Sequence, residues 1–119
     1  MVEQMGDYWR SVHAVVEVVV GAAAVAAQTT VLVVASWYGP GFFGNHTACG
    51  QVFTPSSYGV AHKTLACGTI VTLVRGTTKI EAPVIDRGPY IAGRTFDITG
   101  PVKAALGCTD ICLVEWVIP

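Results

Sequence analysis

The sequence predicts a mainly β fold, a small closed barrel of short strands with one small helix. Three observations carry that expectation. Beyond the first thirty or so positions the chain is rich in Gly, Thr and Val, a strand and turn composition. Apolar, β-branched runs of strand length recur between Gly- and Pro-containing breaks. Only one stretch, Gly100 to Gly107, carries helix punctuation, with Pro101 suited to the first turn and Gly107 to the end. Several short strands with a single helix favour closure, because a closed barrel leaves no strand edge exposed.

The elements follow in order. Val31 to Trp37 reads as the first strand, broken by Gly39-Pro40-Gly41. Phe42 to Gly50 reads as loop. Gly68 to Val74 and Lys79 to Ile85 read as a hairpin around Arg75-Gly76-Thr77-Thr78, with Ile80, Ala82 and Val84 on one face. Asp86-Arg87-Gly88-Pro89 is a turn, and Thr95 to Ile98 is a short strand. Leu113 to Ile118 closes the chain, with Val114, Trp116 and Ile118 alternating against Leu113, Glu115 and Val117. There is no internal repeat of solenoid spacing.

The N-terminal stretch stands apart. Residues 14–35 are almost continuously apolar, interrupted by Glu17 and Gln28. An apolar helix is expected there, serving as a signal peptide or an uncleaved anchor over residues 1–30, ahead of a barrel domain over residues 31–119. Val18 to Ala27 has the length of a signal core, and Ala24-Val25-Ala26 matches a small-residue cleavage pattern. Any membrane association would run through this segment alone. The chain of 119 residues has seven basic and eight acidic side chains. Without residues 1–27 the balance is six to five, so no basic stripe points to nucleic acid.

Four cysteines, Cys49, Cys67, Cys108 and Cys112, in a short chain behind an apolar leader point to disulfides and an oxidising compartment. Three pairings are open at this point. A zinc site is not expected, because no CxxC pair is present and no His stands at ligand spacing from a Cys. No metal or other cofactor is called for.

Ionisable groups are scarce in the barrel segment. Asp86 ends a strand at a Gly-Pro turn, and Asp97 lies between Phe96 and Ile98. A carboxyl buried among apolar neighbours holds its proton to higher pH, which suits a general acid. Read alone, each is as well explained by tying down its own turn. His62 is a further candidate, although a lone His is more often structural. Trp37 and Trp116 suit the core, whereas Tyr38, Tyr90, Phe42 and Phe43 suit a sugar-stacking groove. No Ser-His-Asp triad, phosphate loop or dinucleotide fingerprint is present.

Six blocks together resemble one family. Ala35-Ser36-Trp37-Tyr38-Gly39 resembles the opening ASWYG of RlpA (rare lipoprotein A)-like proteins, and Thr47-Ala48-Cys49-Gly50-Gln51 resembles their TASGE or TACGQ segment. Ala61-His62-Lys63-Thr64-Leu65-Ala66-Cys67-Gly68-Thr69 resembles AHRTLPFGT, and Asp86-Arg87-Gly88-Pro89-Tyr90 resembles DRGPF. Gly93-Arg94-Thr95-Phe96-Asp97-Ile98-Thr99 resembles GRxIDLS, and Ala104-Ala105-Leu106-Gly107 completes the order. The blocks span about residues 34–118.

The resemblance implies a six-stranded double-psi β-barrel with one or two short helices, related to expansins, barwin and membrane-bound lytic transglycosylase A. It implies action on peptidoglycan or a related wall polysaccharide, by a secreted or wall-associated and monomeric protein. Lytic transglycosylases of this kind protonate a glycosidic oxygen and close the sugar into a 1,6-anhydro ring. Carried over, Asp86 takes the acid/base role, His62 supports it, and Asp97 is a second catalytic candidate. Gln51, Tyr38, Thr47, Arg87 and Tyr90 fall to substrate binding. The family's Glu in the second block is Gln51 here, and an amide cannot exchange a catalytic proton at neutral pH. That departure keeps a non-catalytic, expansin-like wall-binding module in view, and a barwin-like interaction protein behind it. The resemblance also implies a Cys49–Cys67 bridge, leaving Cys108 and Cys112 to pair locally.

Overall fold

The computed structural model describes residues 28–119 and, in backbone only, Val18–Val20 and Ala23–Val25. Those two segments form a short antiparallel pair, Val18 opposite Val25 and Val20 opposite Ala23. The apolar N-terminal helix is therefore not seen where backbone is described. Three consecutive valines, stiff at χ1, favour extended backbone over helix. The signal or anchor assignment of residues 1–30 otherwise lies largely outside the described residues. Among the described residues no helix is long and apolar enough to cross a membrane.

Six strands close the barrel: β1 (Thr30–Trp37), β2 (Val60–Ala61), β3 (Ile70–Arg75), β4 (Thr78–Asp86), β5 (Phe96–Ile98) and β6 (Ile111–Val117). Around the circle they run β1-β5-β2-β4-β3-β6 and back to β1. Two of the six pairings are parallel, β1 with β5 and β2 with β4. A parallel pair needs a crossover connection, so the chain passes over the barrel ends, and its loops gather there. The expected strands appear within a residue or two of their bounds. β2 is the exception: two residues are too few to show a period.

Alternation fills the interior. Ala82 and Val84 of β4, Val71 and Leu73 of β3, and Val114 of β6 are buried, with Ile80 and Trp116 packed against them. Leu113, on the opposite face of β6 from Val114, is exposed. The hairpin joining β3 to β4 turns on Gly76-Thr77, with Arg75 opposite Thr78. Helix α1 (Gly100–Leu106) plugs the core with Val102 and Leu106, four positions apart on one face. It ends at Gly107 with φ 68°, a left-handed cap that glycine adopts without a Cβ penalty. Arg75 reaches across and donates from Nη1 to the Leu106 and Gly107 carbonyls at 3.2 and 3.0 Å, satisfying the helix end.

Both expected disulfides are formed. Cys108–Cys112 clips the end of α1 to the start of β6, four positions apart. Cys49–Cys67 joins two loops 18 positions apart. Closing a loop of that size stabilises the folded chain by roughly 3 kcal/mol in the chain-entropy account.

A carboxylate cluster at the barrel end

Asp86 is the last residue of β4, and Asp97 is the middle residue of β5. The short β2 lies between those strands, and its Ala61 is register partner to both Asp86 and Asp97. Two carboxyls far apart in sequence are thereby set at one level of the barrel.

The Asp86 carboxylate is closely held. Oδ1 accepts from the Ala48 N–H at 2.7 Å and from the Arg87 N–H at 2.8 Å. Oδ2 accepts from the Tyr38 hydroxyl at 2.9 Å. Hydrogen bonds to an ionised oxygen are roughly twice as strong as neutral ones, so three of them fix this group in place. Tyr38 leaves β1 through Trp37, and its ring packs against Phe53 and Phe42 with centroids 4.8 and 5.9 Å apart. Burial, then the Asp86 contact, pushes the Tyr38 phenol far above its ordinary range. It remains a donor at every working pH.

Asp97 is held differently. Its Oδ1 accepts from the Ser36 hydroxyl at 2.5 Å, across the parallel β1/β5 pair in which Ser36 faces Asp97. Burial raises the Asp97 pKa above its ordinary value. The Ser36 hydrogen bond and the Arg94 charge oppose that rise, and the neighbouring Asp86 charge adds to it. Gly88, with φ 121°, borders Asp97. A Cβ there would lie 3.5 Å from the Tyr90 ring and 3.9 Å from Asp97 Oδ2. Glycine thus keeps the space between Tyr90 and the second carboxyl open. Tyr90 itself is 77% exposed.

The other candidates take distinct places. His62 follows Ala61, and its backbone N–H donates to the Asp86 carbonyl at 3.2 Å. Its ring does not hydrogen-bond to the Asp86 carboxylate. Nδ1 accepts from the Thr64 and Leu65 N–H groups, both at 3.1 Å, and the ring packs at a tilt against Phe96 and Trp116. Burial, then the Arg87 and Lys63 charges, lowers its pKa, and the two donors on Nδ1 leave the ring proton to Nε2. Arg87 donates from Nη1 to the His62 carbonyl at 3.2 Å, anchoring that loop. Thr47 is buried, and its hydroxyl bonds both the side-chain oxygen and the N–H of Gln51 at 3.2 Å. Gln51 is exposed. A groove of about 350 Å³ opens elsewhere, where β3 and β6 diverge beside Ile70, Thr72 and Trp116, and Asp86 and Asp97 do not line it.

Two contributors escaped sequence reasoning. Ser36 lies within the Ala35–Gly39 block, and a hydroxyl next to the end of an apolar strand was the available signal. The Ala48 N–H is a backbone donor and has no signature in residue type.

The closed six-stranded order, with its two parallel pairs, is that of a double-psi β-barrel. A family model described as lytic transglycolase matches residues 30–115, and the chain belongs to that family. A probable endolytic peptidoglycan transglycosylase RlpA of Synechocystis sp. is 41% identical over 76 residues, 62% of this chain and 24% of that protein. The endolytic peptidoglycan transglycosylase RlpA of Campylobacter jejuni is 39% identical over 77 residues, 63% of this chain and 28% of its own length. A probable counterpart in Aquifex aeolicus is 39% identical over 75 residues, covering 61% and 33%. The chain thus spans about a fifth to a third of the length of the curated relatives it matches.

Proposed function

We propose that this domain cleaves peptidoglycan glycan strands as a lytic transglycosylase, with Asp86 at the reacting centre. The observation that carries the proposal is the pairing of two carboxyls in unlike environments on either side of β2. Asp86 has three donors aimed at its oxygens and is placed to accept a further proton-bearing group. Asp97 is half-buried, and burial favours its acid form. Two neighbouring carboxyls whose surroundings differ can divide acid and base work.

Glycan cleavage needs a proton on the departing glycosidic oxygen, and a base for the sugar hydroxyl that closes the 1,6-anhydro ring. Asp97 supplies the first proton from Oδ2, the oxygen not engaged by Ser36. Asp86 takes the proton of the 6-hydroxyl through the open side of Oδ2, oriented by Tyr38. The exposed Tyr90 stacks on a sugar ring, Tyr38 lends its hydroxyl to Asp86 at the cleft, and Gln51 and Thr47 hold the loop that borders it. His62 and Arg87 act through loop 62–67, as positioning residues. The two disulfides support action outside the cytoplasm. Residues 1–30 serve as export signal or anchor, and residues 31–119 as the catalytic unit.

Gln51 favours one second reading. With an amide where the family has a carboxylate, the barrel would bind wall glycan and turn nothing over. Peptide-free glycan strands separate the two. Release of 1,6-anhydro muropeptides, lost in Asp86→Asn and Asp97→Asn, is expected. Co-sedimentation with glycan and no released product would replace cleavage by binding. If Asp97→Asn retains the full rate, Asp86 performs both proton steps.

A further inference from the structure

We infer that the Cys49–Cys67 disulfide is a redox-addressable positioning link, holding the Ala48 N–H on Asp86. The inference rests on the reading of Asp86 as the reacting carboxyl. Its geometry can be tested apart from that reading.

The loop carrying Ala48 is closed mostly upon itself. His46 bridges Val52, the Thr47 N–H donates to Gln51, and the Gly50 N–H donates to Thr47. At its tip two links reach the barrel. One is the 2.7 Å bond from the Ala48 N–H to Asp86 Oδ1. The other is the covalent bond from the next residue, Cys49, to Cys67. Cys67 sits on firm ground, since the Gly68 N–H donates to the Val84 carbonyl of β4 at 2.8 Å. Cys49 Sγ lies 3.9 Å from that same carbonyl oxygen. The crosslink therefore fixes the loop tip to the strand that ends in Asp86. Cut there, the tip keeps its internal bonds, and only the Ala48 hydrogen bond and a weak Cys49 thiol contact with the Val84 carbonyl tie it to the barrel.

Two observations make this bridge the one a reductant meets. Cys67 is exposed and Cys49 half-buried, whereas Cys108 of the second bridge is buried. Arg87 Nη2 also lies 3.9 Å from Cys67 Sγ. A cation beside a sulfur favours its departure as thiolate, which speeds thiol–disulfide exchange. In the step itself, one thiolate of a dithiol attacks Cys49 Sγ, and the Sγ–Sγ bond breaks toward Cys67. The second thiol then displaces Cys49. The bridge gains two electrons and two protons, and the dithiol becomes a disulfide.

The test uses the full chain and dithiothreitol. Alkylation and mass mapping give the order in which the bridges open. Amide NMR follows the Ala48 proton, whose resonance a carboxylate acceptor moves downfield. The expected result is opening of Cys49–Cys67 first and an upfield shift of Ala48 alone among barrel-end amides. Glycan cleavage falls on the order of tenfold, the scale of one charge-assisted hydrogen bond. Re-oxidation restores all three. Cys49→Ser/Cys67→Ser reproduces the reduced state, and Cys108→Ser/Cys112→Ser does not. Prior opening of Cys108–Cys112, an unmoved Ala48 resonance, or loss of the whole dispersed spectrum on reduction would each overturn the inference. If the oxidised protein cleaves no glycan, the catalytic reading fails, and the Ala48 resonance alone judges the link.

Discussion

Replacing Gly59 by Ala tests how the scaffold places the Asp86 carboxyl. Gly59 precedes β2, and a Cβ built there meets Ile85 Cγ2 at 2.8 Å and Cγ1 and Cδ1 at 2.9 Å. Cγ1 and Cγ2 both branch from the Ile85 Cβ, so no single χ1 rotation clears the clash. Ile85 is 4% exposed and has nowhere to go without its strand. Overpacking of this kind costs about 1–3 kcal/mol. At roughly 4–8 °C per kcal/mol for a domain of this size, Tm falls by about 4–24 °C. Ile85 immediately precedes Asp86, so a displaced β4 also moves the carboxylate against Tyr38 and Ala48. Calorimetry on Gly59→Ala, Ile85→Ala and the double variant reads the effect. Truncating Ile85 opens the space that the new methyl fills, so the double variant is more stable than the two single losses predict. The expected coupling is about 1 kcal/mol or more. A Gly59→Ala protein melting within a degree of wild type, with additive losses, would refute the packing argument.

Three further outcomes are expected. Thr99→Val removes the hydroxyl that accepts from the buried Gly59 N–H at 3.2 Å, costing about 1–3 kcal/mol in urea unfolding, and Thr99→Ser restores most of it. Asp97→Asn matches wild type in Tm below about pH 4 and exceeds it at pH 7. Because the folded pKa is raised, the unfolded carboxyl ionises first as pH climbs through its ordinary 3.8, and wild-type stability drops until folded Asp97 ionises too. Tyr38→Phe keeps the ring between Phe42 and Phe53 and loses one donor to Asp86. We expect kcat/KM on glycan strands to fall about ten- to a hundredfold with little change in Tm.

The long strands were legible because their chemistry is periodic. β3 and β4 announced themselves by alternation around Gly76, and α1 by Pro101 and Gly107. Closure was suggested by several short strands with one helix, whereas the six-stranded double-psi arrangement came from motif resemblance, since parallel pairing leaves no local trace. Asp86 and Asp97 were singled out in the sequence. Their common level in the barrel was not, because it depends on Ala61 of a two-residue strand pairing on both sides. The partner expected of His62 was the Asp86 side chain. Its Nδ1 is instead taken by two backbone donors one turn ahead, a local competition that residue type does not reveal. Arg87 likewise turns toward the His62 carbonyl, because the strand it follows points its side chain away from that of Asp86.

The bonds that define the carboxyl cluster join distant parts of the chain. Ser36 and Asp97 are 61 positions apart, Tyr38 and Asp86 are 48, and Ala48 and Asp86 are 38. Contacts of such range form late and slowly, after loop closure has been overcome. A nascent or unfolded chain therefore has the residues of the site and none of its geometry. The cluster is assembled only when the sheet closes, so the Tyr38 environment is a built-in marker of the completed fold.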